Sequence, residues 1–253
     1  MIYIKTQKEI DFIRESCKIV AETLRLVGSN VKAGITTLEL DRIAEDYIRS
    51  NNAIPAFKGY SQGGLPGFPG SICTSINEEV VHGIPGNRKL LEGDIISLDV
   101  GVLKNDFYGD AATTVAVGNI SQEKRKLLEV TEHSLQLGIE QARTGNRVHD
   151  ISAAVQEYVE QNGFAVVRDL CGHGVGKFLH EDPAVPNFGR RGTGSKLKKG
   201  MTIAIEPMVN VGGFEVVTAS DDWTVLSADG SPSAHFEHTI LILENSPEIL
   251  TVC

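Results

Sequence analysis

Ile10, Ile13, Val20, Leu24 and Val27 recur near helical spacing and predict an amphipathic helix over residues 7–27. A second helix follows in "TTLELDRIAEDYIRSNN", where Thr36 or Thr37 can cap the start and Leu40, Ile43, Tyr47 and Ile48 share one face. The glycine- and proline-rich stretch "FKGYSQGGLPGFPGS" must be loop. After it, "SICTSIN" and "VVHGIPG" read as short strands and turns. The run "DIISLDVGVLKNDFYGDAATTVAV" reads as two strands around a turn at Lys104–Asn105. The same order then returns. "QEKRKLLEVTEHSLQLGIEQA" and "NRVHDISAAVQEYVEQNG" predict helices, and "GMTIAIEPMVN", "FEVVTASDDWTVLSADGS" and "AHFEHTILIL" predict strands with turns.

The two halves can be laid over each other. Gly34–Asn51 sits on Gly145–Asn162 at an offset of 111, which matches Leu40 to Ile151, Tyr47 to Tyr158, Ile48 to Val159 and Asn51 to Asn162. "KLLEGDIISLD" (89–99) sits on "KLKKGMTIAIE" (196–206) at an offset of 107. Two copies do not make an array. They imply one duplicated α+β unit, approximately 7–118 and 122–245, packed about a pseudo-twofold axis within a single domain of 1–253.

The repeat changes the reading of the acids. Asp99 and Glu206 end equivalent apolar runs, "IISL" and "TIAI", which suit strands buried on both faces. Asp110 lies on the strand returning from Asp99, and Glu237 precedes "HTILIL". A buried acid is costly unless it is paired or bound to metal. Four converging carboxylates repel one another unless a cation lies between them. Hard oxygen ligands with a histidine suit Mn, Fe, Co or Zn, with two ions where carboxylates bridge.

Seven histidines are candidates to complete such a site. His133 and His149 lie among polar residues of predicted helices and read as surface. His235 and His238 flank Glu237, and strand alternation puts both on the face opposite it, in supporting roles. His82, His173 and His180 each sit in a Gly/Pro-rich loop, where function concentrates.

Bulk properties narrow the class without naming it. A chain of 253 residues, 41% hydrophobic and 23% charged, buries a sizeable core. A net charge of −9 argues against binding nucleic acid by bulk electrostatics. The one dense basic run, Arg190, Arg191, Lys196, Lys198 and Lys199, reads most simply as a solvated loop. Cys17, Cys73, Cys171 and Cys253 form no CxxC pair and are expected as thiols. The start lacks the apolar run of a signal peptide, and no apolar stretch is long enough for a membrane span. A reducing cytoplasm is the expected setting.

Five fragments in order carry a resemblance: "SICTSINEEVVHGIP", "LDVGVLKNDFYGDAATT", "CGHGVGKFLHEDP", "MTIAIEPM" and "FEHTI". They are similar to the motifs of type I methionine aminopeptidases, within the pita-bread metallopeptidases, and the likeness runs from about Lys5 to the C-terminus. The resemblance implies a curved antiparallel sheet covered by helices. It implies that Asp99, Asp110, His173, Glu206 and Glu237 bind two divalent ions, with Asp110 and Glu237 bridging. Asp99 would grip one ion with both oxygens, and His173 and Glu206 would complete the other shell. A bridging water or hydroxide would be the nucleophile on the carbonyl after an N-terminal methionine. The free α-amino group would bind at the ion held by Asp99.

The same resemblance gives roles to the other candidates. His180 would stabilise the oxyanion, His82 would contact the scissile amide or the backbone beyond it, and Glu206 would also shuttle a proton. Cys73, Phe68, His82 and Trp223 would line the methionine pocket. Two positions depart from the family pattern, Leu179 and Leu65, where aromatic residues are usual. Asn77, Glu79 and Ser233 match a monovalent-cation site formed by backbone oxygens. Nascent polypeptide N-termini are the implied substrate, a monomer the implied state, and the ribosome a partner to be tested at 190–199. No added N-terminal domain of the prolidase kind precedes the motifs, and only 25 residues separate His180 from Glu206, so the expected form is the minimal bacterial one. A phosphoesterase could use two metals among carboxylates, but no cationic phosphate clamp lies near these acids in sequence.

Overall fold

Two threonine–glutamate capping boxes start the first two helices. Thr6 with Glu9 opens α1 (Gln7–Asn30), and Thr36 with Glu39 opens α2 (Thr37–Ser50). Thr36 rather than Thr37 is therefore the cap. In this computed structural model, residues 2–61, 64 and 66–252 are described. The first half continues with β1 (Ile54–Pro55), β2 (Cys73–Ile76), β3 (Glu79–Val81), β4 (Ile95–Lys104) and β5 (Phe107–Ala116). The second begins with α3 (Gln122–Gln141), α4 (Val148–Gln161), β6 (Ala165–Val166), β7 (Cys171–Gly174) and β8 (Glu181–Pro186). It ends with β9 (Thr202–Ile205), β10 (Met208–Asn210), β11 (Val216–Thr218), β12 (Val225–Ser227), β13 (Ser233–His235), β14 (His238–Leu241) and β15 (Glu248–Ile249).

The helical faces predicted from periodicity are the buried ones. Ile10, Ile13, Val20 and Val27 of α1 and Leu40, Ala44 and Ile48 of α2 point inward, and Leu24, Ile43 and Tyr47 pack at the edge. Strands β4 and β5 form one long hairpin. Asn105 and Asp106 turn it at φ of 52° and 64°, the left-handed pair that matches strand twist. Most of β4 is buried on both faces, as "IISL" requires.

Among the described residues all strand pairings are antiparallel. One sheet runs β1-β4-β2 with β5 on β4, and its counterpart runs β15-β14-β9-β7-β8. The helices α1 and α2 cover the first, and α3 and α4 pack on the second. The predicted duplication is visible in the elements. Both α2 and α4 are 14 residues long, and they begin at Thr37 and Val148, the predicted offset. The bridges just before them, Thr36 to Lys89 and Arg147 to Lys196, correspond as well.

The halves meet along β5 and β14. Glu237 N donates to Ala112 O at 2.9 Å, and Ala112 N donates back at 3.4 Å. On one side Thr114 Oγ1 donates to His235 O at 2.8 Å, and on the other Thr239 Oγ1 donates to Asp110 O at 2.7 Å. This reciprocal bracket makes Ala112 the counterpart of Glu237, and Asp110 the counterpart of His235. The pseudo-twofold axis therefore runs through the place where the acids gather.

Candidate metal centre

The stretch "CGHGVGKFLHEDP" folds as a hairpin of β7 and β8, so His173 lies on a strand rather than in a loop. Its flanking glycines have a steric cause. A Cβ on Gly172 would strike Ala204 O of β9, and one on Gly174 would strike Asp182 O. Only glycine lets β7 lie this close to both neighbours. His173 Nδ1 lies 2.9 Å from Gly174 O. Donation to that carbonyl places the ring proton on Nδ1 and turns the Nε2 lone pair toward the acids, free to bind a cation.

Those acids reach His173 from four places. Asp99 comes from β4, Asp110 from β5, Glu206 from the break after β9, and Glu237 from the break between β13 and β14. His173 Nε2 is 3.5 Å from Glu206 Oε1 and 3.8 Å from Asp110 Oδ2. Ligand atoms of Asp110, His173 and Glu237 all lie within 4.8 Å of one another. Asp99 Oδ1, Asp110 Oδ1 and Glu237 Oε1 are buried with no hydrogen-bond partner among the described residues.

Burial pushes the Asp99 carboxyl up to about 7. Burial first, then neighbouring carboxylates, raises Asp110, Glu206 and Glu237 well above the usual range. Burial also lowers His173 to about 3. Among the described residues lining the cavity, none is lysine or arginine. Orphaned oxygens, an available imidazole nitrogen and no side-chain cation together form a donor set that fits divalent metal.

A sign follows for the metal-free protein. Raised carboxyls bind more protons folded than unfolded, so their contribution to stability is largest below the unfolded value near 4 and is lost as pH rises through about 7 and above. His82, His173, His235 and His238, which burial holds down at about 3 to 4, act in the opposite sense up to pH 6.5, so the carboxyl effect is read above that: the chelated protein should melt at least ~3 °C lower at pH 9 than at pH 7. Excess Mn should remove most of that loss. Calorimetry at the two pH values checks it, and a melting point that rises with pH in the chelated protein would refute it.

His82, His173, His180, Cys73, Phe68 and Trp223 open onto the same cavity as Asp99, Asp110, Glu206 and Glu237. Phe68, Cys73 and Leu179 form a buried apolar cluster with Phe57, and Tyr60 and Trp223 pack at its edge. Phe68 and Trp223 meet edge to face at 5.4 Å, and Trp223 Nε1 donates to Pro66 O at 3.0 Å. Leu179 thus fills its place, with rings from Phe57 and Tyr60 beside it. Leu65 lies outside the described residues. Asn77 and Ser233 are joined by Ser233 N donating to Asn77 O at 2.8 Å, while the Glu79 carboxylate accepts from Ile76 N.

Two expectations for the histidines change. His235 does not face away from Glu237. It opens onto the cavity with Nε2 3.7 Å from Glu206 Oε2, and burial lowers it to about 3. Alternation fails because the ladder is broken at Glu206–Pro207 and, opposite, at Phe236–Glu237. His238 does point elsewhere, to Thr251 Oγ1 at 2.9 Å. His149 is half-buried, with Nδ1 2.7 Å from Thr193 Oγ1, and it anchors the basic loop together with the Arg191–Glu157 pair. His133 is exposed as expected. Tyr60, which sequence reasoning passed over, places its hydroxyl 2.7 Å from His180 Nδ1. Cys17 and Cys73 are buried free thiols and Cys171 is an exposed one; Cys253 lies outside the described residues. Among the described residues no helix is long and apolar enough to cross a membrane.

The carboxylate cluster, its free imidazole and the adjoining slot define a metal-dependent hydrolase. The model of metallopeptidase family M24 matches residues 11–244, and the chain belongs to that family. It is 57% identical to a methionine aminopeptidase of Clostridium acetobutylicum over all of both chains. The crystal structure of methionine aminopeptidase from Thermotoga maritima superposes with a TM-score of 0.96 at 46% identity, covering all of both chains. That from Rickettsia prowazekii also gives 0.96, at 42% identity with the same coverage. The α+β pita-bread expectation therefore holds.

Proposed function

We propose that this chain, a single catalytic domain, removes the N-terminal methionine from nascent proteins and peptides in the cytoplasm, favouring a small second residue. The observation that carries this reading is the register of β2 on β4, which pairs Cys73 with Asp99. The apolar, sulfur-bearing slot thus adjoins the acid cluster. A thioether filling the slot would leave its α-amino group on the Asp99 side. The full-length identity to methionine aminopeptidases supports the same substrate.

Asp99, Asp110, His173, Glu206 and Glu237 would hold two divalent ions from Mn, Fe, Co and Zn. Such ions supply Lewis acidity and lower the pKa of water. The remaining work belongs to side chains. Burial keeps His180 neutral at neutral pH. If Tyr60 donates to Nδ1, then Nε2 carries the proton and can donate to the carbonyl oxygen as it becomes an oxyanion. His82, held at φ 60° beside Trp223, would meet the scissile amide or the backbone beyond it. Glu206 would take the proton of the attacking water and pass it to the departing nitrogen. A monovalent cation near Asn77, Glu79 and Ser233, and ribosome contact through 190–199, belong to the same reading, with a monomer as the working form.

Met-Ala-Ser and Ala-Pro-Ala, offered to chelated protein and then with Mn, Fe or Co, test the reading. Methionine should be released only with metal, and alanine from Ala-Pro-Ala at least ~100-fold more slowly. Absence of methionine release with every metal would sink it.

A further inference from the structure

A buried ion pair lies behind the turn that carries His180, and the chemistry proposed above leaves it unused. Lys5 Nζ meets Glu181 Oε2 at 2.5 Å, with side chains only 4% and 2% exposed. Glu181 follows His180 directly and opens β8. Its other oxygen accepts from Phe178 N at 3.2 Å, within the same turn. Gly176 lies against both partners, because a Cβ there would strike Lys5 Cε and the Glu181 carboxylate. The turn is tied further by Gly176 N donating to Phe178 O at 3.1 Å and Tyr108 N donating to Gly176 O at 2.8 Å.

Lys5 itself is held from behind. Its backbone N donates to Gly200 O at 2.8 Å, and the next residue, Thr6, caps α1. The Tyr3 ring, at the cavity rim, lies 5.9 Å from Lys5 Nζ. The arm before α1 thus ends as a fixed ammonium pressed against the His180 turn. A buried ion pair rarely adds stability beyond what a packed apolar pair would supply. What this one supplies is geometry: one carboxylate grips the arm with one oxygen and the turn with the other.

We propose that Lys5 and Glu181 are positioning residues, a buried pair through which the N-terminal arm aims His180 into the cavity. The proposal rests on His180 acting on substrate. Displacing a catalytic group by about 1 Å can cost on the order of 100-fold. Lys5→Met, in the full-length metal-loaded protein, should therefore lower kcat by roughly 10- to 100-fold while KM stays within about twofold and bound metal is unchanged. Lys5→Arg, which keeps the charge, should restore most of the loss.

A double-mutant cycle separates positioning from simple support of the fold. With His180 already replaced by alanine, Lys5→Met should cost less than about twofold, because nothing is left to aim. If Lys5→Met does not fold, Glu181→Gln, which keeps an oxygen for Phe178 N, enters the same cycle. An equal cost in both backgrounds, or no cost in the wild-type background, overturns the positioning role. If His180→Ala alone retains full turnover, the reading of His180 fails and the proposal falls with it. A large loss from His180→Ala with no loss from Lys5→Met removes the positioning role only.

Discussion

Glu237→Gln should reduce kcat/KM by on the order of a thousandfold and strip the protein of part of its divalent metal. Glu237 is 2% exposed, and its Oε1 has no hydrogen-bond partner among the described residues. It sits at the pseudo-twofold seam, where its backbone N is held by Ala112 O, so the backbone at this position is anchored. Glutamine keeps the shape, removes the charge, and turns one acceptor into a donor. Unfolding is separable from this effect. Removing one of several repelling buried carboxyls should leave the chelated variant melting no lower than chelated wild type at pH 8. Metal analysis after dialysis, peptide kinetics and calorimetry together check the outcome. Wild-type turnover in the variant would remove Glu237 from the centre.

His180→Ala should cut turnover by about 100- to 1000-fold while bound metal stays near the wild-type level. His173→Ala should instead lower metal affinity. The two rings lie only 4.3 Å apart, centre to centre, yet they differ in what they face. His173 Nδ1 is spent on Gly174 O, and its Nε2 points into the carboxylates. His180 Nδ1 is spent on Tyr60, at the exposed side of the cavity. Kinetics and metal content of both variants decide the matter. Metal loss in His180→Ala, with metal retained in His173→Ala, would reverse the assignment.

Much of this was legible in the chain. Periodicity located the four helices because each must bury a stripe of apolar residues at 3.6-residue spacing. "IISL" and "TIAI" placed Asp99 and Glu206 because buried strands read as unbroken apolar runs. The resemblance supplied the order of the metal-binding candidates and separated His173 from His180. His235 was missed for a definite reason. It is the counterpart of Asp110, but the second half carries more residues between β9 and β14 than the first carries between β4 and β5. The offset that related Asp99 to Glu206 no longer applied there. Alternation then misplaced His235, because the strand breaks opposite Glu206–Pro207.

The sequence by itself determined the order of elements, the duplication and the residue types able to hold a cation. These follow from local periodicity and from the cost of burying charge. Tertiary structure alone decided the seam at Ala112 and Glu237, the approach of Tyr60 to His180, and the grip of Lys5 on Glu181 across 176 positions of sequence. Such contacts depend on how two half-domains close on each other. No local pattern encodes that closure, because the partners lie far apart in the chain and neither marks the other.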